Sequence, residues 1–418
     1  MIVVVGAGIT GLAIAEEVVA RGEEVMVLEA SPRVGGVIHS AEIDGHVVDW
    51  GPQRGRLTPP FKARVERLGL QDDLLLAPDG IGLLVYARGR LRRVPLDVSG
   101  LLASDALSVP GRLRLLGEFV SGGARPGESV RDYFVRKFGR EAYLTLAAPL
   151  FGGLYASDPA EMDVEIALAP LLRRLGVKRS LLARGLRAAG GPTPRACSFR
   201  GGMEQLPQAM ARALGDRVVT ETPVRRLKPN GARWTVESTD AVGPLDARAV
   251  VLATPAAETA RLLETTSPDA SSAVASLGHN PLAIVHLTSD FDVSAMGFQV
   301  AFEKEHGPLR GITFQHALFG RDRLFTAFLG GATCPEIVQR DDADVARAAE
   351  QAFERTTGQP ADTVSVYRTR MPAWDRSWRA IQDLAIPAGL HVAGSWHARP
   401  GIPGRFAEAH SVAERLVS

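Results

Sequence analysis

Glycines at positions 6, 8 and 11, followed by a carboxylate at Glu29, are the residues whose types and spacing most directly imply chemistry in this chain. Gly6 can make a tight turn, Gly8 can let backbone N–H groups approach a pyrophosphate, and Gly11 can let the following helix lie close on the preceding strand. Glu29 stands about 20 residues farther on, where an acid can accept hydrogen bonds from both hydroxyls of an adenosine ribose. The chemistry implied is dinucleotide binding. A second glycine pair follows in Ser31-Pro32-Arg33-Val34-Gly35-Gly36. It lets the chain run flat against a long cofactor, while Arg33 can neutralise phosphate charge.

Those residues need a strand before them and a helix after them. Residues 2–5 are a β-branched run of the kind found in a strand buried on both faces. Ile9, Leu12, Ala13, Ala15, Glu16 and Val19 then recur at helical spacing up to Arg21-Gly22, and residues 24–28 read as a second strand. Farther along, residues 61–70 read as helix, Ala87-Arg88-Gly89-Arg90 as a hairpin turn, and residues 98–190 as mostly helical. The segments "DRVVTETPVRRLKP", "RWTVEST" and "ARAVVLATP" read as strands. Residues 344–356 read as one long helix within an antiparallel sheet. Near the C-terminus a strand over 390–393 ends at Gly394, and a helix opens near Gly401-Ile402-Pro403 with its positive end suited to an anion. The fold class expected is α/β. A Rossmann-like dinucleotide-binding domain would be assembled from residues 1–80, 195–280 and 371–418. A mixed α+β substrate domain would combine a hairpin over 81–97 with an antiparallel sheet over 281–370, beside a helical insertion over 98–190.

The bulk composition narrows the partners. The chain has 418 residues, with 48 Lys and Arg against 47 Asp and Glu, so no global field attracts nucleic acid. Its two cysteines, Cys197 and Cys334, lie far apart and lack metal-ligand spacing, which argues against a disulfide framework or a metal site and fits a reducing, cytoplasmic compartment. The apolar start lacks a basic leader, and no apolar run reaches the roughly 18 residues a spanning helix needs. A protein that at most leans on a membrane surface is expected.

The segments "DGHVVDWGPQRG", "APLFGGLYASDP", "SFRGGMEQLPQAMARAL" and "GLHVAGSWHARPGIPG", together with the Arg-x-Gly-Gly element, resemble those of the protoporphyrinogen oxidase and coproporphyrin-forming coproporphyrinogen oxidase family, within the flavin amine oxidase superfamily. The resemblance implies FAD, held without a covalent bond. It places FAD contacts at Gly6, Gly8, Ile9, Thr10, Gly11, Glu29, Ala30, Arg33, Gly35, Gly36, Val37 and Gly51, with the backbone of Val224 at the adenine. Gly394, Gly401 and Ile402 would meet the ribityl chain and flavin ring. Trp378, in "MPAWDRSW", stands where relatives carry a different aromatic stretch beside the flavin. The implied reaction is oxidation of a porphyrinogen by hydride transfer to the flavin, with molecular oxygen as acceptor, in heme biosynthesis. Such chemistry asks for orientation and a dry site more than for a general base. Arg54 matches the region of a propionate-binding arginine, and Arg56, Arg376, Arg399 and Arg405 are further cations for a substrate rich in carboxylates. A ferrochelatase partner and a peripheral membrane contact follow from the resemblance alone.

The runner-up is an FAD amine oxidase, which often places a lysine near the flavin. Of the lysines here only Lys304 falls in a plausible strand. A carotenoid desaturase would want a more apolar membrane-facing segment than Leu113, Leu115, Leu116, Phe119 and Val120 provide, and a non-catalytic FAD-binding partner would not need the long helical insertion. At the C-terminus, residues 390–393 are expected to form a central strand, and residues 416–418 to be dispensable.

Overall fold

The computed structural model describes residues 1–418 apart from 96, 175, 178, 188–193, 239–241, 303–306, 398–400 and 418. The chain divides into two compact units. The first comprises Met1–Leu76, Pro194–Leu277 and Ala380–Ser418, and the second Ala77–Thr193 and Gly278–Arg379.

The first unit is built on a five-stranded parallel sheet. Strand β1 (Ile2–Val5) leads through the glycine turn into helix α1 (Ile9–Ala20), which Gly22 ends at φ +79°, and β2 (Val25–Leu28) follows. The order across the sheet is Val218–Val219, β2, β1, Ala249–Leu252 and Leu390–Val392, every pair parallel. A parallel sheet needs cover on both faces, which explains the unbroken β-branched run. Ile2 and Val4 join a core with α1 and the helices Gln205–Leu214 and Ile402–Val417, whereas Val3 and Val5 join Leu28, Trp234, Val250 and Leu262 on the opposite face. The strand Leu390–Val392 lies at the sheet edge and not at its centre, because β1 already occupies the neighbouring side of Ala249–Leu252. A second correction concerns the extreme C-terminus: Leu416 is buried and its carbonyl accepts a hydrogen bond from Arg248. A two-stranded hairpin, β3 (Ser40–Ile43) and β4 (His46–Asp49), extends from the second glycine pair.

The second unit carries a seven-stranded sheet in the order Asp362–Pro372, His279–Thr288, Leu324–Gly330, Leu309–Phe314, Gly297–Val300, Leu84–Ala87 and Arg90–Arg93. It is antiparallel except where Gly297–Val300 runs parallel to Leu84–Ala87, a pairing allowed by the long connection between them. The helix Asp342–Thr357 covers this sheet with Val345, Ala349, Ala352 and Phe353. The Arg88-Gly89 turn takes φ +54° and +75°, as a two-residue hairpin requires. The helices of residues 98–187 pack around Val130, Tyr133, Phe151, Met162 and Leu168, with π-helical turns at Tyr143–Ala147 and Val164–Leu168. Lys137 and Glu118 form an ion pair at 2.9 Å, both side chains fully buried.

Candidate functional site

The first unit brings both glycine loops together at the C-terminal end of β1. Gly6 adopts φ +103°, and a side chain there would meet the carbonyl of Ala253. At Gly11 a Cβ would come within 2.0 Å of the Gly6 carbonyl oxygen, so only glycine lets the first turn of α1 sit so close to the strand end. Gly8 borders open space, and a Cβ on Gly36 would stand 3.3 Å from the Gly8 Cα. Gly35 donates its N–H to the Ala7 carbonyl at 2.9 Å, so the two loops are hydrogen-bonded along one seam. Ile9, Thr10 and Gly11 form the buried first turn of α1, whose leading N–H groups and partial positive charge suit an anion.

Glu29 stands just beyond β2. Its carboxylate accepts the N–H of Ala7 at 2.7 Å, and the N–H and hydroxyl of Ser31 at 2.9 Å each. Ala30 is exposed beside it. Val224 is buried, with its carbonyl accepting from Arg261 at 2.7 Å, and it packs with Val3, Val5 and Leu28. Gly51 passes so close to the second loop that a Cβ there would lie 1.8 Å from the Val37 carbonyl oxygen, while the Val37 side chain is 59% exposed.

Arg33 is bound to its own loop. Its guanidinium donates to the carbonyls of Val34 and Ile38 at 3.3 Å and of Gly36 at 2.7 Å, and pairs with Glu204 at 3.5 Å. Glu204 is a site residue that sequence reasoning missed. Its position one residue before the helix Gln205–Leu214, in "GGMEQLPQ", is the signal that could have found it. The buried carboxylate of Glu204 accepts the Ser40 N–H at 2.9 Å, and the Ser40 hydroxyl donates to Asp49 at 2.6 Å.

The C-terminal residues lie in the same unit. At Gly394 a Cβ would meet the indole nitrogen of Trp396 at 2.3 Å and the Thr254 carbonyl at 2.6 Å. Gly401 takes φ +96° immediately before the buried Ile402, which opens the helix Ile402–Val417. Buried Arg405 donates to the carbonyls of Gly394 and Ser395, and burial pushes its guanidinium pKa down to about 10.

The other candidate cations differ in their freedom. Arg54 is half-buried with no carboxylate partner among the described residues, and burial, with Arg56 nearby, lowers its pKa to about 10. Arg56 is exposed and donates to the Pro194 carbonyl at 3.2 Å. Arg376, in the second unit, is exposed and paired with Glu161 at 3.4 Å. Arg399 and Lys304 lie outside the described residues. Trp378 is also in the second unit, buried and stacked on Trp374 with ring centroids 5.4 Å apart. Trp374 itself takes φ +53°, a conformation a bulky residue seldom adopts.

These residues fit an FAD group. Two glycine loops without side chains between them leave a cradle for a pyrophosphate, and an oriented carboxylate stands where a ribose would lie.

Comparison with known proteins agrees. The family model described as flavin containing amine oxidoreductase matches residues 9–417. The chloroplastic protoporphyrinogen oxidase of Nicotiana tabacum is 27% identical over 398 residues, covering 86% of this chain and 72% of that protein. A coproporphyrinogen III oxidase from Propionibacterium freudenreichii is 29% identical over 364 residues, covering 75% of this chain and 68% of its own. Among solved structures, cyclohexylamine oxidase from Brevibacterium oxydans has the same fold, with a TM-score of 0.69 at 18% identity, over 100% of this chain and 99% of the other.

Proposed function

The chain belongs to the family of flavin-containing amine oxidoreductases, and from that premise we propose that it oxidises a porphyrinogen to the porphyrin in heme biosynthesis, with FAD as cofactor and molecular oxygen as acceptor. The observation that carries this reading is the likeness, over most of the chain, to porphyrinogen oxidases of both a plant and a bacterium. Bound FAD supplies a two-electron acceptor. The protein's own part is to bind and orient: the first turn of α1 and the Gly35-Gly36 loop hold the pyrophosphate, and Glu29 holds the ribose. Arg54 offers a planar fork, without a carboxylate partner among the described residues, to a substrate propionate. No side chain is assigned as general base.

Two observations weigh against amine oxidation. Among the described residues Lys137 is the buried lysine, and Glu118 already holds it. Arg54, a cation without a counter-charge among the described residues, suits an anionic substrate better than an ammonium. A non-covalent FAD is supported at Cys197, which is fully buried, with its thiol pKa pushed up to about 12, and so is poorly suited to forming a flavin thioether.

No helix among the described residues is long and apolar enough to cross a membrane. The second unit exposes Leu102, Val109, Leu113, Leu116, Phe119 and Val120 within a short span of helices, the last at 88%. The exposed side chains support a protein that rests reversibly on a bilayer surface. The test of function is to mix FAD-loaded protein, in air, with anaerobically prepared protoporphyrinogen or coproporphyrinogen. Porphyrin fluorescence rising well above spontaneous oxidation is expected. No acceleration with either compound, together with oxygen uptake on a primary amine, would transfer the assignment to amine oxidation.

A further inference from the structure

The geometry points to Arg33 as a positioning residue that presents the Val37 N–H to the FAD pyrophosphate, held in that role by Glu204, and not as a cation that touches phosphate itself. The peptide between Gly36 and Val37 is the key unit. No peptide bond among the described residues is cis, so the carbonyl and the N–H of this unit point in opposite directions. The Gly36 carbonyl accepts from Arg33 at 2.7 Å, which leaves the Val37 N–H on the side away from the guanidinium. That N–H has no acceptor among the described residues.

The remaining donors of Arg33 hold the Val34 and Ile38 carbonyls. The loop is thus wrapped around the fork, and its N–H edge is turned outward. Gly36, at φ +60°, lets the backbone make this turn. Glu204 fixes the guanidinium from behind at 3.5 Å, and it is anchored in turn by Ser40, whose hydroxyl is held by Asp49. A planar fork that spans several carbonyls at once is something an ammonium cannot reproduce.

This role rests on FAD as the ligand of the cradle, and two variants separate it from a direct charge role. FAD is titrated into apoprotein by flavin fluorescence, and apoprotein folding is followed separately by thermal melting. For Arg33→Lys, which keeps the charge but loses the fork, roughly tenfold weaker FAD binding is expected. Near wild-type affinity would overturn the proposal. For Glu204→Gln the two roles differ in sign. If Arg33 met phosphate directly, removing a neighbouring negative charge would tighten FAD binding, whereas loss of the anchor should weaken it several-fold. Tighter binding in Glu204→Gln overturns the proposal, as does a variant recovered unfolded, which would make Arg33 a residue of the fold rather than of the loop. Wild-type apoprotein that takes up no FAD would remove the underlying reading as well.

Discussion

The carboxylate of Glu29 accepts the backbone N–H of Ala7 at 2.7 Å, across 22 residues of sequence. One side chain therefore ties the end of β2 to the glycine turn that follows β1, and it is the group proposed above to hold a ribose. Replacing Glu29 with Ala should weaken FAD binding by about 1.5–3 kcal/mol, the range for hydrogen bonds to a charged group. The Ala7 N–H also loses its acceptor, so the apoprotein itself should lose about 1–3 kcal/mol of stability. Flavin titration and urea denaturation of the apoprotein read the two effects separately. Unchanged FAD affinity would remove Glu29 from the cofactor site.

Gly11→Ala is expected to be disproportionately harmful for one methyl group. The added Cβ would lie 2.0 Å from the Gly6 carbonyl oxygen, and a backbone atom cannot step aside as a side chain can. The helix must shift, at a cost of about 1–3 kcal/mol, and its first turn leaves the cradle. The variant should purify with little flavin. Gly22→Ala, just past the far end of the same helix, strains only its own backbone because its Cβ meets open space, and it should keep the flavin.

Arg54→Ala should raise KM for a porphyrinogen while leaving flavin content near wild type, because the role proposed for it is to hold a substrate propionate. Burial and the neighbouring Arg56 disfavour its charged form, yet a guanidinium stays protonated at any pH the protein tolerates, so the KM effect of Arg54→Ala should be the same from about pH 7 to 9. Loss of flavin in proportion to activity would place Arg54 in the cofactor shell.

Lys137→Met should unfold the second unit more readily, because it leaves Glu118 as an uncompensated charge in a fully buried position. Breaking a buried pair in this way costs about 3–5 kcal/mol. Converting both residues, with Glu118→Leu added, should recover much of that loss. Chemical denaturation of the two variants tests the difference.

Deleting residues 416–418 should cost about 2–3 kcal/mol, since it uncovers the space filled by Leu416 and removes the carbonyl that Arg248 holds. Position at a chain end alone would make these residues dispensable, and thermal melting of the shortened protein distinguishes the two expectations.

Local patterns are legible in the sequence. The glycine turn, α1, the hairpin at Arg88-Gly89 and the long helix Asp342–Thr357 each follow from residues near one another along the chain. What stays hidden depends on partners that meet only after folding. Glu204 reaches Arg33 across 171 positions, and its place before the helix Gln205–Leu214 marks the residue without naming Arg33 as its partner. The edge placement of Leu390–Val392 is set by which strand lies beside Ala249–Leu252 on its other side, a matter of topology and not of pattern. Trp378 illustrates the same limit: its stacking on Trp374 depends on a left-handed backbone at Trp374 that no local preference favours.

The parallel sheet draws its strands from residues 2–5, 218–219, 249–252 and 390–392 besides β2. A ribosome therefore has to release residue 392 before the fifth strand can join the sheet, and residue 417 before the helix Ile402–Val417 can cover α1. Until then the apolar face of α1 in the nascent polypeptide lacks that cover, and closing so long a loop carries an entropic cost that precedes any long-range contact. Cofactor loading thus waits for residues 390–417, and a chain that stops short of them carries an unfinished nucleotide fold.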